Sequence, residues 1–369
     1  MADKLPLKNN CRIMIMAGGT GGHVFPALVV AEKLQAANAT ISWLGTLRGI
    51  ESELVPKYGI QINHLSVEGL RGGSIFALLK APFMLARSIL QAWMILFRFK
   101  PDVVLGMGGF ASGPGAIAAK FLGIPLVIHE QNSIAGTTNR LLSRLANRVM
   151  QGFPETLSGG EYCGNPVRAE IARLASPNER FANRQGRTRM LVLGGSRGAL
   201  ALNKLIPQAL ALLDVDIRPA VLHQTGSKHL AVTKDAYKEQ GLDISCKEIE
   251  VSPFIDKMEA AYAWADFIIC RSGALTVAEL MSVGLGALLV PFPYAIDDHQ
   301  TANGNLLVDN GAAKLVQERD LNPSLLAEYI KSFCQSAEMR LSMSSAARML
   351  AKNDAAERVA EVCLEVACE

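Results

Sequence analysis

The sequence predicts an α/β protein built from two Rossmann-like domains, each a doubly wound parallel sheet, and three observations carry that reading. At roughly 100 to 200 residues per domain, a chain of 369 residues points to two domains. Half of the residues are hydrophobic and only 19% charged, which fits large buried cores and excludes a disordered chain. One grammar occurs twice: an apolar run, a glycine-rich turn, then a helical pattern. The copies are Arg12-Ile-Met-Ile-Met-Ala-Gly-Gly-Thr-Gly-Gly22 and Arg189-Met-Leu-Val-Leu-Gly-Gly-Ser-Arg-Gly198. Strands covered by helices on both faces are continuously apolar, as these runs are.

Taken in order, each copy opens with its first strand and continues with shorter apolar runs. These are Ile41 to Leu44, Val103 to Leu105 and Leu126 to His129 in the first half, and Ala220 to His223, Phe267 to Cys270 and Ala287 to Pro291 in the second. Helices fill the intervals. The join falls near Gly164-Asn-Pro-Val-Arg168, giving expected domains over 1–165 and 166–345. The tail, 346–369, with Val359, Val362, Leu364 and Val366 set among charges, reads as a closing helix. Ligands are expected at the carboxyl ends of the strands, in a cleft between the domains.

The mean hydropathy of +0.21 raises the question of a membrane span. The most apolar uncharged stretch, Ser88 to Phe97, has 10 residues, and a crossing helix needs roughly 20. Met1 to Asn10 is polar and lacks a signal-peptide core, so a cytosolic chain is expected. Seven scattered cysteines with no C-x-x-C pair argue against both a disulfide framework and a zinc site. Charge is uneven: 15 basic against 9 acidic residues up to Gly164, and 22 against 25 beyond it. The first half therefore suits an anionic partner such as phosphate or a lipid surface, or simply carries chance variation among solvated side chains.

Glycine turns let a backbone approach phosphate closely, and a following helix adds unpaired N–H groups and a positive dipole end. The first turn fits G-x-G at Gly19-Thr20-Gly21 but has Val24 where a dinucleotide fingerprint needs its third glycine, and no acidic residue closes the second strand at Thr46. Neither turn carries the Lys-Ser/Thr pair of a P-loop. Dehydrogenase and ATPase readings are both disfavoured. A third turn, Cys270-Arg-Ser-Gly-Ala-Leu-Thr-Val-Ala-Glu279, starts a helix after a buried strand. That helix end suits a diphosphate, and Glu279 could accept hydrogen bonds from ribose hydroxyls or be an ordinary surface glutamate.

Seven motifs in order carry a resemblance: Gly18-Gly-Thr-Gly-Gly-His-Val-Phe-Pro-Ala27, Gly106-Met-Gly-Gly-Phe-Ala-Ser-Gly-Pro114, His129-Glu-Gln-Asn132, Gly164-Asn-Pro-Val-Arg168, Gly194-Gly-Ser-Arg-Gly-Ala199, Arg271-Ser-Gly-Ala-Leu-Thr276 and Asp298-His-Gln300. Together the chain resembles the MurG family of peptidoglycan N-acetylglucosaminyltransferases over nearly its whole length. It departs from the family at Phe110, usually tyrosine, Arg197, usually glutamine, and Gly286, usually proline. The resemblance implies a GT-B fold and inverting transfer of GlcNAc from UDP-GlcNAc to the 4-hydroxyl of the MurNAc sugar of lipid I, giving lipid II. It places the acceptor and membrane on the first domain and the donor on the second. By similarity, Ser196 and the Ala274, Leu275, Thr276, Val277, Ala278, Glu279 helix start hold diphosphate and ribose. Ile255 meets uracil through its backbone, with Arg168 nearby. Gln300 and Asn132 recognise the donor, and Thr20, Gly21 and Gly22 face the acceptor.

An inverting transfer needs a base, stabilisation of departing UDP, and two substrates in line. His23 is the base candidate because imidazole titrates near neutral pH, although a histidine at a helix start can merely cap or pack. Glu130 is the second candidate, and could equally be structural. No cofactor or bound metal is expected. Asp214-Val-Asp216 is a literal D-x-D, but it lies between the first helix and second strand of its repeat, away from the strand carboxyl ends, and reads as a solvated loop. His223 and His229 lack a third ligand at metal spacing.

The segment Ile75 to Arg98 mixes apolar residues with Lys80, Arg87 and Arg98, which suits attachment to an anionic membrane surface or a helix covering the sheet. Ile75, Leu79, Lys80 and Phe83 are expected at lipid, and Ser88 to Phe97 mostly in the core. The resemblance implies peripheral attachment at the cytoplasmic face of the cell membrane, with other cell-wall synthesis proteins as further partners. Nucleic acid is not expected, since no basic stripe with interleaved aromatics occurs. A UDP-GlcNAc 2-epimerase and a non-catalytic UDP-sugar-binding scaffold remain as alternatives.

Overall fold

The computed structural model describes residues 10–66, 75–182, 184–194, 198–245 and 248–369, with side chains in the long helix at 75–99 described from Pro82 onward. The chain forms two compact units, Met1–Val167 with Asn353–Glu369, and Arg168–Lys352.

In the first unit the elements run β1 (Arg12–Met16), α1 (Gly21–Ala36), β2 (Thr40–Thr46), α2 (Glu51–Leu54), β3 (Gln61–Leu65), α3 (Ile75–Phe99), β4 (Val103–Gly106), α4 (Ser112–Phe121), β5 (Leu126–Glu130), α5 (Thr137–Leu142), β6 (Arg148–Gln151) and β7 (Glu161–Tyr162). Every pairing is parallel, in the order β3-β2-β1-β4-β5-β6-β7. Side chains alternate across the sheet, so Ile13 and Ile15 enter one core with α1 while Met14 and Met16 enter the other. All four are fully buried. Each contributes roughly 1.5–3 kcal/mol relative to exposure, which is why β1 tolerates no polar residue in its last four positions.

The second unit repeats the scheme: α6 (Ala169–Ala172), α7 (Pro177–Phe181), β8 (Arg189–Leu193), α8 (Leu200–Ala211), β9 (Ala220–Gln224), α9 (Leu230–Glu239), β10 (Ile249–Ser252), α10 (Met258–Trp264), β11 (Phe267–Cys270), α11 (Ala274–Val283), β12 (Ala287–Leu289), α12 (His299–Asp309), β13 (Ala313–Leu315), α13 (Pro323–Gln335) and α14 (Ala337–Met349). Its parallel sheet has the order β10-β9-β8-β11-β12-β13. In both sheets the strand order reverses at one place, between β1 and β4 and between β8 and β11. Open α/β sheets bind ligands at that switch point, and the described glycine turns after β1, β4 and β11 lie at these carboxyl ends.

Two expectations change. The break expected at 346 falls inside α14; the chain leaves the second unit only after Lys352. The tail then forms α15 (Ala355–Val366), whose Val359, Val362, Cys363 and Val366 fill the core against α1. It is thus a wall of the first unit. Secondly, Ser88 to Phe97 is not mostly core: Ser88, Ala92 and Leu96 face inward, while Leu90, Trp93, Met94 and Phe97 are exposed. Ile89 and Ile95 pack partly buried against the same core, so the covered face is the usual one-sided helical stripe and the opposite face stays exposed. Among the described residues no helix is long and apolar enough to cross a membrane.

Candidate active site

In the first unit, β1 delivers the chain into a turn that only glycine can make. Gly19 has φ of +90°, in the left-handed region. Thr20 caps α1 with extended backbone, and the helix then begins at Gly21, so the N–H groups of Gly21 and Gly22 lie in its first turn. The second glycine loop, after β4, packs onto the first: a Cβ on Gly109 would sit 2.2 Å from the Gly18 carbonyl oxygen, and one on Gly108 would sit 2.8 Å from the His23 ring. Gly108 and Gly109 also have positive φ.

His23 is half-buried in the first turn of α1, with Nδ1 3.3 Å from the Gly18 oxygen. A carbonyl can only accept, so Nδ1–H donates, and Nε2 is the basic nitrogen of the neutral ring. Beneath the turn lies Glu51, fully buried and not singled out by the sequence. Its Oε1 accepts from Thr46 N–H at 2.9 Å and Thr46 Oγ1 at 2.7 Å, and its Oε2 from Gly19 N–H at 3.0 Å. Gly18, Gly45 and Gly49 provide its space, since a Cβ on any of them would strike its side chain.

Glu130, at the end of β5, is buried and occupied differently. Oε1 accepts from Asn132 N–H at 3.0 Å and Asn132 Nδ2 at 3.3 Å, while Oε2 accepts from Gly136 N–H at 3.2 Å and Asn139 Nδ2 at 2.9 Å. Four donors make it the organiser of the 130–139 loop, the structural alternative named for it. Its neighbour His129 is buried too and donates Nε2–H to the Gly164 oxygen at 2.9 Å; burial lowers its pKa.

In the second unit, α11 starts at Gly273 without a side-chain cap. Val277 N–H already bonds Gly273 O at 2.9 Å, so the helix leaves the N–H groups of Ala274, Leu275 and Thr276 without intrahelical partners. Val277 and Ala278 follow in the same turn with buried side chains, and Val277 N–H is taken up by the Gly273 oxygen. Glu279 is held by two groups, Tyr262 Oη–H at 2.8 Å and Arg168 at 3.4 Å. Burial raises its pKa, against the lowering influence of Arg168 and Tyr262. Tyr262, fully buried, is a partner that sequence reasoning did not find.

Ile255 lies half-buried in the loop beyond the carboxyl end of β10, and Gln300 stands in the first turn of α12 with Oε1 accepting from Phe292 N–H at 2.9 Å. Ser196 and Arg197 lie outside the described residues, as do the side chains of Ile75, Leu79 and Lys80. Phe83 is 80% exposed on α3. Asp214 and Asp216 are exposed in the loop between α8 and β9, at the amino end of β9, as the sequence placed them. His223 is buried between Tyr237 Oη and Asn203 Oδ1, each at 3.0 Å, and burial lowers its pKa to about 3. Its ring is a neutral core bridge.

Residues 13–151 match the model of the glycosyltransferase family 28 N-terminal domain, and residues 189–359 that of the family 28 C-terminal domain. A Burkholderia thailandensis protein named UDP-N-acetylglucosamine--N-acetylmuramyl-(pentapeptide) pyrophosphoryl-undecaprenol N-acetylglucosamine transferase is 51% identical over 355 residues, 96% of each chain. A protein of the same name from Nitrosococcus oceani is 53% identical over 359 residues, 96% of this chain and 99% of its own. The crystal structure of Acinetobacter baumannii MurG superposes with a TM-score of 0.83 at 38% identity, covering 96% of this chain and 99% of that one. The glycotransferase of kitacinnamycin, at 15% identity and a TM-score of 0.68 over 95% of this chain and 99% of its own, shares the fold alone.

Proposed function

Because the chain belongs to glycosyltransferase family 28, we propose that it transfers GlcNAc from UDP-GlcNAc, with inversion, to the 4-hydroxyl of the MurNAc sugar of lipid I, forming lipid II. The fold is GT-B. The observation that carries the reading is the identity of about half the residues, over 96% of the chain, with relatives bearing that activity in their names.

In the reaction the acceptor oxygen forms a bond to C1 of GlcNAc as the bond from C1 to the diphosphate oxygen breaks. The acceptor proton goes to His23 Nε2, and the electron pair leaves with UDP. The first unit carries the acceptor chemistry, with the N–H groups of Gly21 and Gly22 and the Thr20 cap facing an anionic group. The second unit carries the donor: N–H groups of Ala274, Leu275 and Thr276 hold the diphosphate, joined by Ser196, Arg168 lies beside them, Glu279 takes the ribose hydroxyls and the backbone at Ile255 meets uracil. Gln300, whose amide nitrogen keeps two donors after its oxygen binds Phe292, and Asn132 supply contacts to sugar hydroxyls.

The helix end contributes roughly 0.3–2 kcal/mol beyond its direct N–H bonds, so leaving-group charge is met without a cation. Activity should persist in EDTA; loss restored by a divalent ion contradicts this. The protein attaches peripherally to the cytoplasmic face of the membrane through α3. Purified protein with labelled UDP-GlcNAc and a lipid I analogue should yield a disaccharide lipid with a β linkage. UDP release without acceptor, or no turnover at all, overturns the assignment in favour of an epimerase or a scaffold.

A further inference from the structure

The Gly18–Gly19 peptide group is gripped from both of its polar ends. Its carbonyl oxygen accepts His23 Nδ1–H at 3.3 Å, and its N–H donates to Glu51 Oε2 at 3.0 Å. In a trans peptide these two atoms point in opposite directions, so a carboxylate and an imidazole are joined through one planar, polarisable amide. Resting on the reading of His23 as the base, we infer that Glu51 is a positioning residue: its carboxylate, acting through the Gly18–Gly19 peptide, orients His23 and keeps Nε2 as the nitrogen that takes the acceptor proton.

Three features support the relay. Glu51 is fully buried, and the donors it accepts, Thr46 N–H, Thr46 Oγ1–H and Gly19 N–H, are neutral, so its negative charge is felt along those bonds. A carboxylate on the peptide N–H draws electron density toward the carbonyl oxygen, which strengthens that oxygen as an acceptor for Nδ1–H. The peptide itself cannot rotate away. Gly109 lies against its carbonyl, Trp43 Nε1–H holds the preceding Ala17 oxygen at 2.8 Å, and Glu51 occupies the space beside Gly18. Among the described residues, the other charged side chains of the elements around the turn are Arg48 and Glu53, both exposed, Glu130, whose oxygens serve its own loop, and Glu32, Lys33 and Lys120, which stand toward the far ends of α1 and α4. Neither α1 nor α4 has an acidic residue in its first turn.

Free imidazole prefers the opposite tautomer, so the relay has a signature independent of turnover. Ring-nitrogen NMR of the wild-type protein, with the His23 signals identified by their loss in His23→Gln, should show Nδ1 protonated in the neutral state; protonation at Nε2 overturns the inference. Glu51→Gln should lower kcat by about tenfold or more, as removal of a histidine's orienting partner commonly does. The acid limb of kcat/KM should move to lower pH, because a less supported imidazolium gives up its proton more readily. The KM for UDP-GlcNAc should stay put. A folded Glu51→Gln enzyme with wild-type kcat and an unmoved acid limb overturns the inference, as does a loss of kcat matched by a rise in donor KM. His23→Ala tests the base reading separately: unchanged kcat there sinks the base role and with it the proton-accepting part of the inference, while Nδ1–H in the wild type still upholds the orientation of His23 by Glu51.

Discussion

Two carboxylates and one imidazole line the carboxyl edge of the first sheet, and their hydrogen bonds divide the work. His23→Ala should lower kcat by roughly 10²- to 10⁴-fold, the usual contribution of a general base, with an unchanged melting temperature. Glu130→Ala should do the reverse first: it leaves the donors of Asn132, Gly136 and Asn139 without their acceptor. At roughly 1–3 kcal/mol for a buried group left unsatisfied, calorimetry should register a clear loss of stability. Glu279 supplies a pH test. Burial raises its pKa in the folded unit, so the folded chain keeps a proton that the unfolded chain has already released. Stability from this group is therefore present below the ordinary carboxylate range and declines as pH rises through the raised value. The melting temperature of wild type relative to Glu279→Gln should improve as pH falls, and a pH-independent difference contradicts the shift. The motifs holding His23 and Glu279 were legible because each stands in a glycine turn after an apolar run. Glu51 was not, since an acidic residue five positions past a strand looks solvated. Its burial follows only from the missing Cβ atoms at Gly18, Gly45 and Gly49.

Among the elements, the central strands were legible and the edges were not. β4 and β11 are buried throughout and read as apolar runs, as do β1 and β8 after their opening arginine and β5 as far as Ile128. β3, Gln-Ile-Asn-His-Leu, and β10, Ile-Glu-Val-Ser, are half-solvated outer strands whose pairing depends on a neighbour already in place. The tail was legible as an amphipathic helix, but its partner was not, because an apolar stripe does not say which core it closes. α15 closes the first unit, joined there by Lys33–Glu357 at 2.6 Å and Arg358–Glu161 at 2.6 Å. Both pairs are largely exposed, worth roughly 0–1 kcal/mol, so the apolar face dominates. Val362→Ala should lower stability by roughly 2 kcal/mol, from lost transfer energy plus a cavity. That corresponds to about 4–8 °C in the melting temperature of a unit this size. Scanning calorimetry should show the shift in one unit only, and an equal shift in both would refute the assignment of α15 to the first.

For the whole molecule, the uneven charge and the outer face of α3 bear on one question, how the enzyme reaches a membrane-held acceptor. Phe83, Leu90 and Phe97 recur every seventh residue, so they share one helix face, and they are 80%, 57% and 56% exposed. Arg87 and Arg98 flank that strip and are exposed as well. A basic group near an anionic surface contributes about 1 kcal/mol. An apolar side chain moved fully out of water contributes roughly 1.5–3 kcal/mol. Burying three such side chains outweighs the attraction of the two arginines, so affinity should follow the apolar strip and charge should select the lipid. Replacing Phe83, Leu90 and Phe97 with serine should therefore weaken co-sedimentation with phosphatidylglycerol vesicles by well over tenfold, since about 1.4 kcal/mol is a factor of ten. Raising the salt concentration should weaken wild-type binding only modestly. Turnover of a short-chain, water-soluble acceptor analogue should stay at the wild-type rate, because the strip takes no part in the transfer itself. Undiminished vesicle binding by the triple variant would remove α3 as the attachment element and leave the basic excess of residues 1–164 to account for it.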